Sequence, residues 1–490
     1  MPSSTDYGDT AYRSGSQNLP RWRSHAKDFS RRPLLVKQVT YLAIVLAFIL
    51  PLWYFHHLRR DGSVAQIIAE QPPEDLVALD VHNIIPHYGH NSPGHHANKP
   101  AVSALPSIQE DAQTSPAPPL TSSQVTSDPI TFAFVIWEPS SAIEGALLIK
   151  SILMYASEPV HIHIICDESA RLEAEARLEL LNHPFYDVAV FFYQLPWQSI
   201  QDRLDREGSI WTSHSAGAAG LLKLLVHEIL PETVKKAIYV DTDAFFISNP
   251  LLLWKQFDTL KPETAIVMPS HPNLGAAEWH NADRICSCVI LFDLEKLRNI
   301  RLIDSQIYRE ANDGVNSMSP PAFRAMFGEP DSQTGHYENI MLGDQSYWWA
   351  IISYQPDLYE HLSYDWEISS CLVNTYNITL GDDMTTEEDE LKSLQHTPGT
   401  PHEGKLVIPK LLHFNCIPTD LYFEWPGWSD PSEPLNQHWG PAVKYHQHYK
   451  WIWLNRATDR DNNSQANLTI HRVEPALFAD EIYRNKHRVQ

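Results

Sequence analysis

From residue 130 onward, short apolar runs alternate with amphipathic stretches, and the alternation predicts strands and helices in turn. The runs at 130–137 (ITFAFVIW), 160–166 (VHIHIIC), 188–195, 237–240 and 285–292 are rich in β-branched and aromatic residues and short enough to be buried strands. Between them, 142–156 and 169–181 carry apolar residues at helical spacing, and a further helix is expected over about 216–230. Asp293 opens another helix through Arg298, and Asp344 opens an aromatic one beyond Gly343. The stretch 305–337 predicts a long loop, and 405–414 (KLVIPKLLHF) a last strand. Strands alternating with helices imply an α/β fold with a mainly parallel sheet covered on both faces.

The N-terminal third has another texture. Residues 1–38 are polar and basic, and 39–55 (VTYLAIVLAFILPLWYF) then runs without a charge. That stretch sits at the short end of what crosses a bilayer, with Trp53 and Tyr54 suited to an interface. Basic residues crowd its N-terminal side, from Arg13 to Lys37, while only Arg59 and Arg60 follow before Lys99. The bias predicts a single-pass type II anchor with the bulk of the chain luminal. Residues 56–128 are rich in Pro, Ser and Thr without sustained periodicity, so they predict an extended stem. The histidine cluster within 87–96 lies there, where nothing would fix a ligand geometry. The division expected is therefore a cytosolic tail (1–38), an anchor (39–55), a stem (56–128), a catalytic domain (129–455) and a polar, peripheral tail (456–490).

Composition narrows the chemistry. A net charge of -23 argues against a nucleic-acid partner. Five cysteines, with Cys286 and Cys288 one residue apart, fit neither a disulfide scaffold nor zinc-finger spacing, and an odd count leaves a thiol over. The chain lacks both the Gly-x-Gly-x-x-Gly fingerprint and the Gly-Lys-Ser/Thr of P-loops. Any phosphate must then be held by metal and side chains. Tyr239-Val-Asp-Thr-Asp243 offers two carboxylates at i and i+2, one face of a strand, at a strand end where α/β folds bind ligands. The pair reads either as an acidic turn or as a site for a hard divalent cation on a diphosphate. Asp344 reads equally as a helix cap or a site residue. His413 closes the last strand. Asn377, Asn462 and Asn467 stand in glycosylation triplets if luminal.

Taken together, these pieces resemble glycosyltransferase family 8, most closely the xylosyltransferase-type domain of LARGE-like enzymes. The anchors run in the family's order between 130 and 425: Ile162 to Ala170, Ser215 to Leu224, Tyr239 to Asp243, Ser287 to Arg298, Gly343-Asp-Gln345 and His413-Phe-Asn415. The resemblance implies a GT-A fold and transfer of a sugar from a UDP-sugar, with retention, to a glycan or glycoprotein acceptor in the Golgi. It implies Mn2+ held by Asp241, Asp243 and His413. It implies Asp344 and Gln345 near the anomeric carbon, and Lys223, Asp167, Ser287 and Asn415 as donor contacts. Because Gln345 is a poor nucleophile, front-face attack is the expected route. Two departures stand out. Cys286-Ser287-Cys288 replaces the family's Asn-Ser/Thr-Gly, and no Gly/Lys phosphate segment follows His413. The first leaves room for an anchored pseudo-transferase that binds without turnover. A metal-dependent phosphohydrolase would need a richer carboxylate or histidine cluster than Asp241 and Asp243.

Overall fold

In this computed structural model the described residues are 128–271, 274–370, 407–456, 466–474 and 476–488, all within one compact unit of the chain. The expected anchor at 39–55, the stem and the first two glycosylation triplets lie outside them. No helix among the described residues is long and apolar enough to cross a membrane.

The apolar runs form the strands that their composition predicts. β1 (Ile130–Ile136), β2 (Val160–Cys166), β3 (Val188–Gln194) and β4 (Lys236–Val240) pair in parallel in the order β3-β2-β1-β4. Alternate residues of β1 serve opposite faces: Ile130, Phe132, Phe134 and Ile136 enter one core, and Ala133 the other. Both faces are covered, which is why the run is apolar throughout instead of alternating. The helix Glu138–Tyr155 packs on one face, and Asp344–Tyr354, with buried Tyr347 and Trp348, on the other.

Beyond β4 the order changes. β7 (Val289–Asp293) lies antiparallel to β4, followed by β6 (Ile266–Pro269) and β8 (Tyr359–Leu362). A second sheet joins β5 (Ala244–Phe246), β10 (Leu411–His413) and β9 (Ile368–Ser369) over an aromatic core of Phe245, Phe414, Tyr422, Trp428 and Trp439. The sheet is mainly parallel, as expected.

Several local expectations are corrected. The helix expected over 216–230 is broken into Gly217–Leu221, a 3-10 turn Leu222–Leu225 and Val226–Ile229. The 305–337 stretch is not simply loop, for it holds the helices Gln306–Ala311 and Ser319–Phe327. The strand expected over 285–292 begins only at Val289, leaving Cys286–Cys288 as a loop over the sheet end. The region beyond 456 is no peripheral tail. β11 (Leu468–Val473) pairs in parallel with β3 as the edge of the main sheet, and Asp480 of the helix Ala479–Arg488 is fully buried against Arg203 and Arg206.

Candidate active site

Asp241 and Asp243 do converge, although the strand period is not the reason. β4 ends at Val240, and the two aspartates occupy the turn leading into β5. Convergence comes from β10, whose His413 pairs with Ala244, while the Asp243 carbonyl accepts from Phe414 N at 2.8 Å. Asp241, Asp243 and His413 each offer a ligand atom within 4.8 Å of the others.

These residues line a cavity of about 550 Å3 that also collects Lys223, Ser287, Asp344, Gln345 and Asn415. The structure thus brings together every sequence-predicted site residue except Asp167. That residue caps the helix Glu168–Leu178, its carboxylate accepting from Ala170 N and Ser169 Oγ at 2.8 Å. It lines a separate groove with Trp137 and Trp197, at the C-terminal ends of β1 to β3.

Lys223 is the electrostatic centre of the cavity. Its Nζ lies 2.8 Å from Asp241 Oδ1 and 3.4 Å from Asp344 Oδ1, and Tyr239 donates its hydroxyl to Asp241 at 3.1 Å. Burial works to lower the ammonium's pKa, but Asp241 and Asp344 outweigh it and hold Lys223 charged, above its ordinary value. Asp344 leads its helix, preceded by Gly343 at φ 59, a conformation that a side chain strains to adopt. Its Oδ2 is buried without a partner, and burial pushes its pKa up to about 6 against the pull of Lys223. Gln345 accepts from Ser287 N at 3.4 Å and donates to the Ala282 carbonyl at 2.9 Å. Asn415 accepts from Ser369 Oγ.

His413 stands between two carboxylates, with Nε2 3.5 Å from Asp243 and Nδ1 3.6 Å from Glu367. Burial opposes its charge, yet Asp243 and Glu367 raise its pKa to about 10. Burial likewise works to raise Asp243, and His413 with Lys223 holds it below the ordinary carboxylate range. The imidazolium and ammonium thus offset part of the charge of the acidic cluster. The fully buried Glu367 was not legible in the sequence, because β9 beside it is only two residues long. Glu144, from the helix over β1, is a second such neighbour; burial and the charge of Asp243 push its carboxyl up to about 8. A disulfide joins Cys286 and Cys288 across Ser287, a pairing that the one-residue spacing did not suggest. Cys166 is a free, buried thiol, as the odd count required.

Comparison with known proteins adds family context. No protein-family model matches the chain. The mouse "Xylosyl- and glucuronyltransferase LARGE2" is 32% identical over 124 residues, covering 24% of this chain and 16% of that protein. The Caenorhabditis elegans "Glycosyltransferase-like protein LARGE" is 27% identical over 166 residues, covering 30% and 24%. The matches thus span less than a quarter of these relatives' own length. Among solved structures, mouse xyloside xylosyltransferase 1 superposes with TM-score 0.40 and 17% identity over 59% of this chain and 99% of that one. The galactosyltransferase LgtC, in complex with donor and acceptor sugar analogs, gives 0.41 and 12% over 68% and 98%. Over about a quarter of its length the chain is similar in sequence to LARGE-type glycosyltransferases, as its motifs had suggested.

Proposed function

We propose that the chain is a retaining glycosyltransferase of the GT-A type. It moves a sugar (xylose, glucose or a related hexose) from a UDP-sugar to a glycan or glycoprotein acceptor, assisted by Mn2+. The observation that carries this reading is the convergence of Asp241, Asp243 and His413 with Lys223, Asp344 and Gln345 in one cavity. Two carboxylates and an imidazole suit a divalent ion that takes oxygen and nitrogen donors and leaves positions for phosphate oxygens. The fit also rests on charge: two cations, Lys223 and protonated His413, already sit where the carboxylates would hold a metal. When bound, such an ion supplies positive charge to the departing diphosphate.

The chain's own residues do the rest. Lys223, kept charged by its neighbours, adds a second positive group where charge develops on the leaving diphosphate. Asp167, with Trp137 and Trp197, lines the groove at the strand ends where open α/β sheets take nucleotides, and is assigned to the nucleoside end of the donor. Gln345, its amide held at both ends, orients the sugar face beside Asp344, while Ser287 and Asn415 complete the rim. In the front-face route the acceptor oxygen bonds to the anomeric carbon as the carbon–phosphate-oxygen bond breaks. The acceptor proton passes to the departing oxygen. The apolar 39–55 stretch and its basic lead support a type II Golgi anchor with this domain in the lumen.

One specific observation favours a second reading. The Cys286–Cys288 disulfide occupies the loop that contacts Gln345 through Ser287 N and Asp241 through the Cys288 carbonyl. A loop closed in this way fits an anchored pseudo-transferase that binds a nucleotide-sugar or glycan without turnover. The test is to incubate the full chain with Mn2+ and a panel of nucleotide-sugars. Donor-specific release of nucleoside diphosphate that Asp243→Asn abolishes supports transfer. Saturable binding with no release supports the second reading, and neither binding nor release sinks both.

A further inference from the structure

His413 has two faces, and only one of them points at Asp241 and Asp243. Its Nδ1 points the other way, 3.9 Å from Cys286 Sγ and 3.6 Å from Glu367 Oε1. Glu367 is fully buried; its Oε2 accepts from His271 Nε2 at 2.8 Å, while Oε1 is buried with no hydrogen-bond partner. A buried carboxylate oxygen with no hydrogen bond, faced only by an imidazolium 3.6 Å away, can take a metal ion in exchange for the Nδ1 proton. The donor atoms of Cys286, Cys288, Glu367 and His413 all lie within 4.8 Å of one another, and all four residues are buried. An ion at ~2.3 Å from sulfur and ~2.0–2.1 Å from nitrogen and oxygen, bound tetrahedrally, sets its ligand atoms roughly 3.3–3.8 Å apart. The observed nitrogen–oxygen and nitrogen–sulfur separations need to close by only a few tenths of an ångström.

We infer that Cys286, Cys288, Glu367 and His413 Nδ1 form a second metal site, selective for zinc and available only when the disulfide is reduced. Two thiolates with one imidazole favour Zn2+ over the hard ions that suit Asp241 and Asp243. The chemistry balances. A dithiol reductant gives two electrons and two protons to the Cys286–Cys288 bond and is itself oxidised to a disulfide; zinc then displaces the two thiol protons and the Nδ1 proton of the His413 imidazolium. His271, donating to Glu367 Oε2, supplies the outer hydrogen bond that fixes the carboxylate. A consequence follows for the first site. A neutral imidazole has one lone pair, so zinc on Nδ1 leaves a proton on Nε2, which then cannot bind a cation beside Asp243. That exclusion rests on the proposed divalent site, whereas the zinc site does not.

The experiment uses the full chain and Zn2+ alone as probe, before and after treatment with a dithiol that is then removed. Zinc held through sulfur should rise from none to about one ion per chain, with X-ray absorption showing sulfur together with nitrogen or oxygen in its shell, whatever zinc Asp241, Asp243 and His413 take before reduction. Reoxidation should release it. A Cys286→Ser/Cys288→Ser double variant, with a thermal melt to confirm folding, should lose the gain while keeping Cys166, Cys371 and Cys416. Equal sulfur-bound zinc before and after reduction, retention of the gain by the folded double variant, or a shell without sulfur would each overturn the proposal; the wild-type comparison stands even if the variant fails to fold. Mn2+ binding followed by electron paramagnetic resonance on the same samples separates the two sites. Loss of Mn2+ on zinc loading supports the exclusion. Reduction-dependent zinc binding in a chain that never binds Mn2+ removes the first site and leaves the second.

Discussion

Lys223→Met isolates the role of the central ammonium. The substitution keeps the length of the buried stem and deletes the charge. Nζ lies 2.8 Å from Asp241 and 3.4 Å from Asp344. At an effective dielectric of about 20, each contact is worth roughly 5–6 kcal/mol of attraction before desolvation is subtracted. In the variant, Asp344, whose pKa burial already pushes up to about 6, gives up its nearest positive charge and takes a proton near neutral pH. The carboxyl is thereby neutralised, so the fold is retained. Transition-state stabilisation is not. Removing a positioned group of this kind costs about 10²–10³ in kcat, or ~2.7–4 kcal/mol. The assay pairs initial rates of nucleoside diphosphate release with Mn2+ titration by paramagnetic resonance. The expected result is a loss of that size in kcat with Mn2+ affinity unchanged or tighter, because a cation competing for Asp241 has gone. Recovery of the wild-type rate at high Mn2+ would refute the argument, since Lys223 would then act only by organising the cation site.

Other outcomes follow from the same geometry. Asp243→Asn removes a charge from both the ligand set and the His413 contact, so Mn2+ affinity should fall by more than the ~10–100-fold typical of losing an outer-shell partner, read by the same titration. Arg203 is fully buried and bonds Glu228 at 2.6 Å, with Asp480 at 3.6 Å; Arg203→Met should cost about 3–5 kcal/mol in urea unfolding, and adding Glu228→Leu should return part of that loss. Burial, aided by His161 for His163 and by Arg298 and Arg203 for His227, pushes both histidines down to about 3. Their folded pKa values lie below the unfolded value of about 6.5, so the unfolded chain binds the extra protons. Stability should be fully present above pH 6.5 and fall as pH drops towards 3, by about 1.4 kcal/mol per pH unit for each histidine. His163→Gln should reduce that slope by roughly one histidine's share; an unchanged slope in urea melts between pH 6.5 and 5 would show that His163 is not the source.

Sequence reading went furthest where the chain is locally consistent. The runs from Ile130 to Val240 are apolar on both faces, and they form parallel strands as the alternation with helices implied. Asp241, Asp243 and Asp344 stood out as carboxylates at element ends and Lys223 through the family resemblance, and the cavity joins them. What stayed hidden depends on contacts distant in sequence. Glu367 lies on no periodic run, and only the pairing of β9 with β10 brings it under His413. Ile266–Pro269 and Tyr359–Leu362 are too short for a period to show, and they are strands because they close the sheet beside β7. Asp167 lies apart from the others: its carboxylate caps a helix and lines a separate groove at the strand ends, a position that no local pattern reveals. The polar character of 468–488 concealed a strand because an edge needs only one covered face, and β11 alternates between half-buried and exposed positions.

The pairing of β11 with β3 has a consequence for how the domain is made. Asn467 and Asp187, bonded beside that pair, are 280 residues apart in the chain. At about 5–20 residues per second, roughly 14–56 s separates the synthesis of the two partners. During that interval β3 is an open edge of a nascent parallel sheet, and Arg203 lacks the Asp480 carboxylate that later covers it. Until β11 arrives, that edge is open to pairing with another chain. Mutations in 468–480 should then act first on the yield of folded protein, before any effect on the chemistry of a cavity that these residues do not line.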